Sequence, residues 1–381
     1  MPQLVHLDRP VPSQEPADCV LTFVFLANLA AQEASGDPAA SISVERVAHR
    51  LAGSAESDSV MLGLLPQADA TATEGLPVSS LGYPLIPSTQ PADATADGFF
   101  DFLGFVHVSL PQLEERHILE FEIVLDADLQ PLPGEDFSAE ARRTIATLLS
   151  GVEHVARLRG RSVLQLSIMH PRGQRPGAGP LAEVLSGHGF RAGLTEVQSV
   201  LTVPEHEPAD PPAGYRVQLI EDYRVPPELI DDVATLFTTA STDVPHGTMS
   251  TEPARWDARR LAEAADRLRD RGGRQLMALL IDPDGEAHAL SEFLWHAGSR
   301  PDVVEQGATI VARGRRRRGL GTAATRWGLA AVRAAWPEAE RVYSSEATDD
   351  PAMAAILTAL GATPISGSSS WEKTRGEKTA G

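Results

Sequence analysis

The hydrophobic patterning is clearest in the second half of the chain. "YRVQL" (215–219) alternates with a period of two and predicts a strand. "PELIDDVATLFTTA" and "EPARWDARRLAEAADRLRDR" predict helices. "RQLMALLID" (274–282) and "EAHALSEFLWH" (286–296) are apolar runs joined by Pro-Asp-Gly, a β-hairpin signal. "EQGATIVA" (305–312) predicts a further strand, 320–335 a helix, "RVYSS" (341–345) a strand, 350–361 a short helix and 363–373 a last strand. The predicted order is β-α-α-β-β-β-α-β-α-β. Within 320–335, Leu320, Ala323, Ala324, Trp327, Ala330, Ala331 and Ala334 follow the i, i+3, i+4 spacing of a buried stripe, which puts Trp327 in the core. Met353, Ile356, Leu357 and Leu360 form the corresponding stripe of the next helix, between an N-cap at Asp350 and a C-cap at Gly361.

The first half repeats this order loosely. "GFVHVSL" (104–110) and "HILEFEIVLD" (117–126) match the central hairpin, and "SAEARRTIATLLSGVEHVARLRG" (138–160) matches the helix after it. "RSVLQLSIM", "GPLAEVLSGHGF" and "TEVQSVLTV" supply the next strand, the last helix and the closing strand. A duplicated domain explains the repeat, and two unrelated α/β domains are the alternative. The halves meet at "PEHEPADPPAG" (204–214), whose prolines and acids read as a linker. The expected organisation is a domain at 1–204, a linker at 205–214 and a domain at 215–381. The stretch 66–98 has the composition of a long, partly disordered insertion between strands.

Net charge changes the list of partners. At −19 over 381 residues, the chain lacks the broad basic face that a general nucleic-acid or membrane binder needs. One cysteine, Cys19, excludes an internal disulfide and a cysteine metal site. "CVLTFVFLANLA" (19–30) is too short to span a bilayer and follows Glu15 and Asp18, so it predicts a buried helix. A cytoplasmic protein is expected, without nucleic-acid or membrane partners; the sequence leaves its oligomeric state open. The eleven histidines show no close ligand spacing, so no metal is expected. His107 and His117, on predicted strands, read as packed or exposed rather than catalytic. No G-x-S-x-G is present.

Against this acidity stands "RGRRRRGLG" (313–321), with five arginines in six positions. A Walker A loop fails, because Leu320 and Gly321 replace its Lys and Ser/Thr. Gly319, Gly321 and Ala324 match a dinucleotide fingerprint, but six residues separate them from their strand, and too little chain follows for that fold. A helix start fits every part. The first helical amides lack internal partners, glycines let a pyrophosphate approach them, and arginines add forked donors. A solvated basic loop is the bland alternative.

Arg316-Arg317-Arg318-Gly319-Leu320-Gly321 matches the R-x-x-G-x-G motif, and the strand order matches the fold, of the GNAT acetyltransferases. The resemblance is good over about 215–375 and extends to the first half by element order, so the chain resembles a tandem GNAT protein. It implies an α/β (α+β) fold class: two domains, each a mostly antiparallel mixed sheet flanked by helices. It also implies acetyl-CoA as cosubstrate, without metal. Ile310 and Val311 would pair with the pantetheine arm. Arg316, Arg317, Arg318, Gly319, Leu320, Gly321 and Thr322 would cradle the pyrophosphate, and Asp350 takes the place of the family's later asparagine.

Two departures qualify the resemblance. Leu357 replaces the tyrosine that often protonates the departing thiolate, leaving Tyr343, Ser345 and Ser370 as substitutes. The first half has no cradle: Pro131 and Pro133 lack amide donors, and Glu135 and Asp136 repel phosphate. That half reads as a degenerate copy. A primary amine is mostly protonated near neutrality, so acetylating it calls for a base. Glu305 is the first candidate, by its resemblance to the family's glutamate; Glu292 is second and Glu346 third. The sequence thus predicts N-acetylation of an amine, a small molecule being favoured. The alternative is a non-catalytic acyl-CoA-binding or regulatory protein.

Overall fold

The computed structural model describes all residues except 1, 12–13, 68–72, 90–99, 133, 175–176, 207, 209 and 377–381. Much of the predicted insertion, parts of the linker, and Pro133 therefore lie outside the described residues.

Two compact units divide the chain. The first comprises Met1–Thr195, Gly247–Thr251 and Ser368–Gly381; the second comprises Glu196–His246 and Glu252–Gly367. The first unit runs β1 (Gln3–Leu7), α1 (Asp18–Ser35), α2 (Val44–Ala52), β2 (Ser57–Leu65), β3 (Leu85–Ile86), β4 (Gly104–Pro111), β5 (Ile118–Leu125), α3 (Ala139–Leu158), β6 (Val163–Pro171) and α4 (Pro180–Gly187), and includes the start of β7 (Arg191–Thr202). The second contains the rest of β7, then β8 (Arg216–Glu221), α5 (Ile230–Asp243), α6 (Ala258–Asp270), β9 (Arg274–Ile281), β10 (Ala287–Trp295), β11 (Val303–Val311), α7 (Leu320–Ala335), β12 (Arg341–Ala347), α8 (Pro351–Ala359) and the start of β13 (Thr363–Thr374).

Element for element, β1-α1-α2-β2-β4-β5-α3-β6-α4 repeats as β8-α5-α6-β9-β10-β11-α7-β12-α8. The first sheet runs β3-β1-β2-β4-β5-β6 and is completed by the end of β13. Ser370 and Ser369 there contact Ser167 and His170 of β6 at 2.7 Å. The second runs β8-β9-β10-β11-β12 and is completed by the end of β7, from Arg341↔Thr202 to Ala347↔Glu196. The first unit thus takes its last strand from the end of the second repeat, and the second unit takes its own from the end of the first repeat.

Both sheets are packed on two faces. In the second unit, Val233, Phe237 and Leu261 of α5 and α6 cover Met277, Leu279 and Ile310. Leu329, Val332 and Leu357 of α7 and α8 cover Leu276, Phe293 and Val342 on the other face. In the first unit α1 and α2 pack on Met61 and Phe105, and α3 packs on Leu62 and Val106.

Three readings of the pattern need correction. The helix expected at 252–271 begins at Ala258, because the Asp257 carboxylate caps it by accepting from Arg260 N at 2.8 Å. In α7 the buried residues are Leu320, Gly321, Ala324, Thr325, Gly328, Leu329, Ala330, Ala331 and Val332; Trp327 is only half-buried and Ala334 is exposed. Glycine decides this. A Cβ on Gly328 would lie 2.1 Å from the Phe293 ring, so the helix docks on the sheet through its smallest residues. Finally, part of the expected insertion is structured: Leu85 and Ile86 form β3, which pairs in parallel with His6 and Leu7.

Candidate active site

β11 and α7 build the site. Thr309 of β11 faces Ser291 of β10 at 2.9 Å, and Thr325 of α7 lies 3.2 Å from the same Ser291 hydroxyl. This small polar cluster ties strand and helix together just below the loop that joins them. Register along β10–β11 runs from Ala289↔Val311 to Ser291↔Thr309, then resumes at Phe293↔Gln306. Glu292 therefore faces two residues, Gly307 and Ala308: a β-bulge. Gly307 is needed there, since its Cβ would sit 2.5 Å from Glu292 Oε2.

The parallel ladder between β11 and β12 has three rungs, Val303↔Arg341, Val304↔Val342 and Glu305↔Tyr343, and then stops. Beyond Glu305 the strands separate, and the bulge adds to the divergence. Residues 306–311 so carry one edge without a ladder to β12. From Glu305 to Val311 the strand covers about 20 Å, at about 3.3 Å per residue. Ile310 is buried, and the Val311 carbonyl already accepts from Arg316 Nε at 3.1 Å.

At the far end of that edge lies the arginine loop. Gly319 is the N-cap of α7, with φ of 74°, and no side chain caps the helix. The left-handed backbone favours glycine. Its first amides face outward with no acid in the first turn, a ready anion site. Among the described residues, Arg317 and Arg318 have no side-chain partner and are exposed. The other arginines are committed: Arg313 and Arg316 to Asp243, and Arg315 to Asp282 at 3.5 Å. Thr322 is half-buried in the first turn. Asp350 is spent as a cap, accepting from Ala352 N at 3.0 Å and Met353 N at 2.9 Å.

The first unit differs at the matching place. The Ser138 hydroxyl accepts from Ala141 N at 3.1 Å and so caps α3 with the chain's own oxygen. Glu135 and Asp136 are exposed beside it. The β5–β6 ladder has the same three rungs, Ile118↔Val163 to Glu120↔Gln165, but β4–β5 runs without a bulge. Register makes Glu120 the counterpart of Glu305, and Gln165 that of Tyr343.

The candidate base Glu305 and the candidate acid Tyr343 are brought together on the last shared rung, and His296 Nε2 lies 3.0 Å from Glu305 Oε2. Glu292 stands apart. It is buried beside the bulge and accepts from Tyr223 Oη, from Gln275 Nε2 at 3.3 Å and from Ala308 N at 3.4 Å. Burial pushes its carboxyl above the ordinary range. Tyr223 reaches it from a turn in which Asp222 and Tyr223 have φ of 50° and 57°, strained values for such residues. Glu346, on β12, is pushed up to about 7 by burial and by the carboxylates of Asp350 and Glu196. Leu357 is buried and carries no proton; Ser370 belongs to the first unit.

His296, Tyr223, Gln275 and Asp243 were not singled out by the sequence. No spacing motif relates them to their partners, which are brought near by a hairpin, a bulge and the end of a helix.

Two other clusters have chemical appeal but another reading. Ser59 Oγ lies 2.9 Å from His107 Nε2, and His107 Nδ1 lies 3.3 Å from Glu122 Oε1. Ser59 and His107 are buried while the Glu122 side chain is 36% exposed, so the end that meets solvent is the carboxylate. That is the reverse of what attack by serine needs. Burial raises Glu122, but His107 and Arg50 outweigh it and hold the carboxyl below its ordinary value. Asp282, Glu286 and His288 converge within 4.8 Å at the β9–β10 turn, a grouping that the histidine spacing did not reveal. Asp282 there accepts from two backbone amides, from His288 and from Arg315, which closes the hairpin.

No helix among the described residues is long and apolar enough to cross a membrane. No protein-family model matches the chain, and no curated protein matches it significantly. Solved structures do. A tandem GNAT protein from the clavulanic acid biosynthesis pathway, solved without acetyl-CoA, aligns over 99% of this chain and 100% of its own, with a TM-score of 0.66 and 18% identity. A GCN5-related N-acetyltransferase from Sphaerobacter thermophilus aligns over 98% and 95%, with a TM-score of 0.58 and 15% identity. At such identities the likeness speaks for the fold, and it spans both units: the chain has the tandem GNAT fold.

Proposed function

We propose that the protein is an acetyl-CoA-dependent N-acetyltransferase with one working cofactor site, in the second unit. The observation that carries this reading is the contrast between two helix starts. α7 opens on an uncapped left-handed glycine beside Arg317 and Arg318, whereas α3 is capped by Ser138 beside Glu135 and Asp136. Only the first of these suits a pyrophosphate. The pantetheine arm would run along the free edge of β11, past Val311 and Ile310, and deliver the thioester near the bulge. Leu320, Gly321 and Thr322 supply the first turn behind the phosphates.

Glu305 then lies on the last rung before the strands part, where an acceptor amine can meet the thioester. Its carboxylate takes a proton from the ammonium group, freeing the lone pair to attack the acyl carbon. The carbon–nitrogen bond forms, the nitrogen sheds a second proton to solvent, the carbon–sulfur bond breaks, and the departing thiolate takes up a proton. Tyr343, on the same rung as Glu305, is the hydroxyl we assign as that acid, since Leu357 cannot serve. His296 orients Glu305. The acceptor is a small-molecule amine in this reading.

The buried Leu357 also favours a second reading, an acyl-CoA-binding protein without turnover. Titration with acetyl-CoA, followed by CoA release across a panel of amines, separates the two. The first reading expects a stoichiometry near one and release with at least one amine. Binding without release supports the second reading, and two equivalent sites reject the single-site assignment.

A further inference from the structure

Asp243 is the last residue of α5, and its side chain is 17% exposed. A carboxylate at a helix C-terminus opposes the helix dipole, so its position there needs compensation. Arg313 supplies it with two bonds, Nε to Oδ2 at 2.9 Å and Nη2 to Oδ1 at 2.5 Å, and also donates to Thr242 Oγ1 at 3.0 Å. Arg316 adds a third, from Nη2 to Oδ2 at 2.5 Å, while its Nε holds the Val311 carbonyl. One carboxylate thus gathers the end of β11 and both ends of the segment 313–316. Arg313, with the largest effect, and Arg316 hold the Asp243 carboxyl well below the ordinary carboxylate range, so the clamp stays charged at any physiological pH.

The clamp removes two arginines from direct service to a phosphate, yet it fixes the loop they belong to. Arg317 follows with φ of 60°, a left-handed conformation that a free loop of arginines would not hold. Gly319 comes two residues later. Fixing 313–316 therefore determines where Arg317, Arg318 and the first amides of α7 point.

We propose that Asp243 is a positioning residue of the cofactor loop: it pins the arginine segment so that the amides of α7 and the free Arg317 and Arg318 converge on a pyrophosphate. The proposal rests on the acetyl-CoA reading of the second unit for its ligand. It makes the end of α5 part of cofactor recognition.

The sign of one measurement is diagnostic. Removing a negative charge beside a polyanion site tightens binding if charge alone matters; loss of the pin weakens it. Calorimetry with CoA, and separately with inorganic pyrophosphate, should show Asp243→Asn binding both at least tenfold more weakly than the parent. Asp243→Glu should recover part of the loss. At saturating acetyl-CoA, kcat should stay within about twofold of the parent while the KM for acetyl-CoA rises about tenfold. Unchanged or tighter binding by a folded Asp243→Asn protein overturns the proposal. A parent that binds pyrophosphate but not CoA overturns the acetyl-CoA reading and leaves the clamp to stand on the pyrophosphate result. A parent that binds neither overturns both.

Discussion

A Cβ on Gly321 would lie 2.7 Å from Cδ1 of Ile356, so α7 and α8 meet where the sequence suggested room for a phosphate. Gly321 is buried, and its missing side chain is occupied by a neighbour's methyl group. The motif's first glycine, Gly319, has nothing within 4 Å of its would-be Cβ and is favoured for its backbone instead. Two glycines of one motif thus answer to different constraints. Gly321→Ala should destabilise the protein by no more than about 1 kcal/mol, since the end of the half-buried Ile356 side chain can turn aside and alanine favours the helix, and Ile356→Ala in the same chain should return that loss. Melting temperatures of the two variants check it. A Gly321→Ala protein as stable as the parent but unable to bind CoA would show that phosphate approach, not helix packing, sets this glycine.

Glu305→Gln should lower turnover by roughly 10²- to 10⁴-fold and leave CoA affinity little changed, because the carboxylate lies a strand's length from the arginine loop. His296→Ala should lower it less, since it removes a neighbour of the base and not the base. Steady-state kinetics with calorimetry on the same samples gives the answer. An active Glu305→Gln enzyme with the parent's pH profile would reject Glu305 as the base and turn attention to Glu346.

Glu346 makes stability depend on pH in a defined direction. Its folded pKa of about 7 is above the value of 4.5 for an unperturbed glutamate. Between those values the folded chain holds this proton more tightly than the unfolded chain does. Its contribution is therefore present below pH 4.5 and is lost as the pH rises through 7. Glu346→Gln removes the loss. The difference in melting temperature between variant and parent should be larger at pH 8 than at pH 5. An equal difference at the two values would contradict the assignment.

The closing strands predict how fragments behave. A fragment of 210–381 lacks 196–202, whose seven rungs cover β12, and it also carries 368–374 away from β6. The bared edge of β12 is a template for pairing with other chains. The fragment should be poorly soluble or weakly active, whereas adding back 1–209 as a separate chain should raise its solubility. Sedimentation and CoA release measure both. A monomeric fragment as active as the whole chain would show that β12 needs no cover from β7.

Much of the second unit could be read from local signals. Strand periodicity, the Pro-Asp-Gly turn and the Asp350–Pro351 helix start each depend on neighbours in sequence, and β9, β10, α7 and α8 lie where those signals put them. The arginine-glycine run marked the start of α7 for the same reason, because a helix start is built from consecutive residues. Tertiary structure decided the rest. Trp327 left the core because Gly328 and Thr325, which carry little hydrophobic signal, are the residues that reach the sheet. Glu292 became a buried prop, not a solvent-facing acid, because the bulge at Gly307 and Ala308 turns the strand around it. Asp243 met Arg313 and Arg316 across seventy residues of sequence, through the length of α5 and the path of β11. Such pairings arise from where strands end and helices dock, and a window along the chain contains neither partner's surroundings.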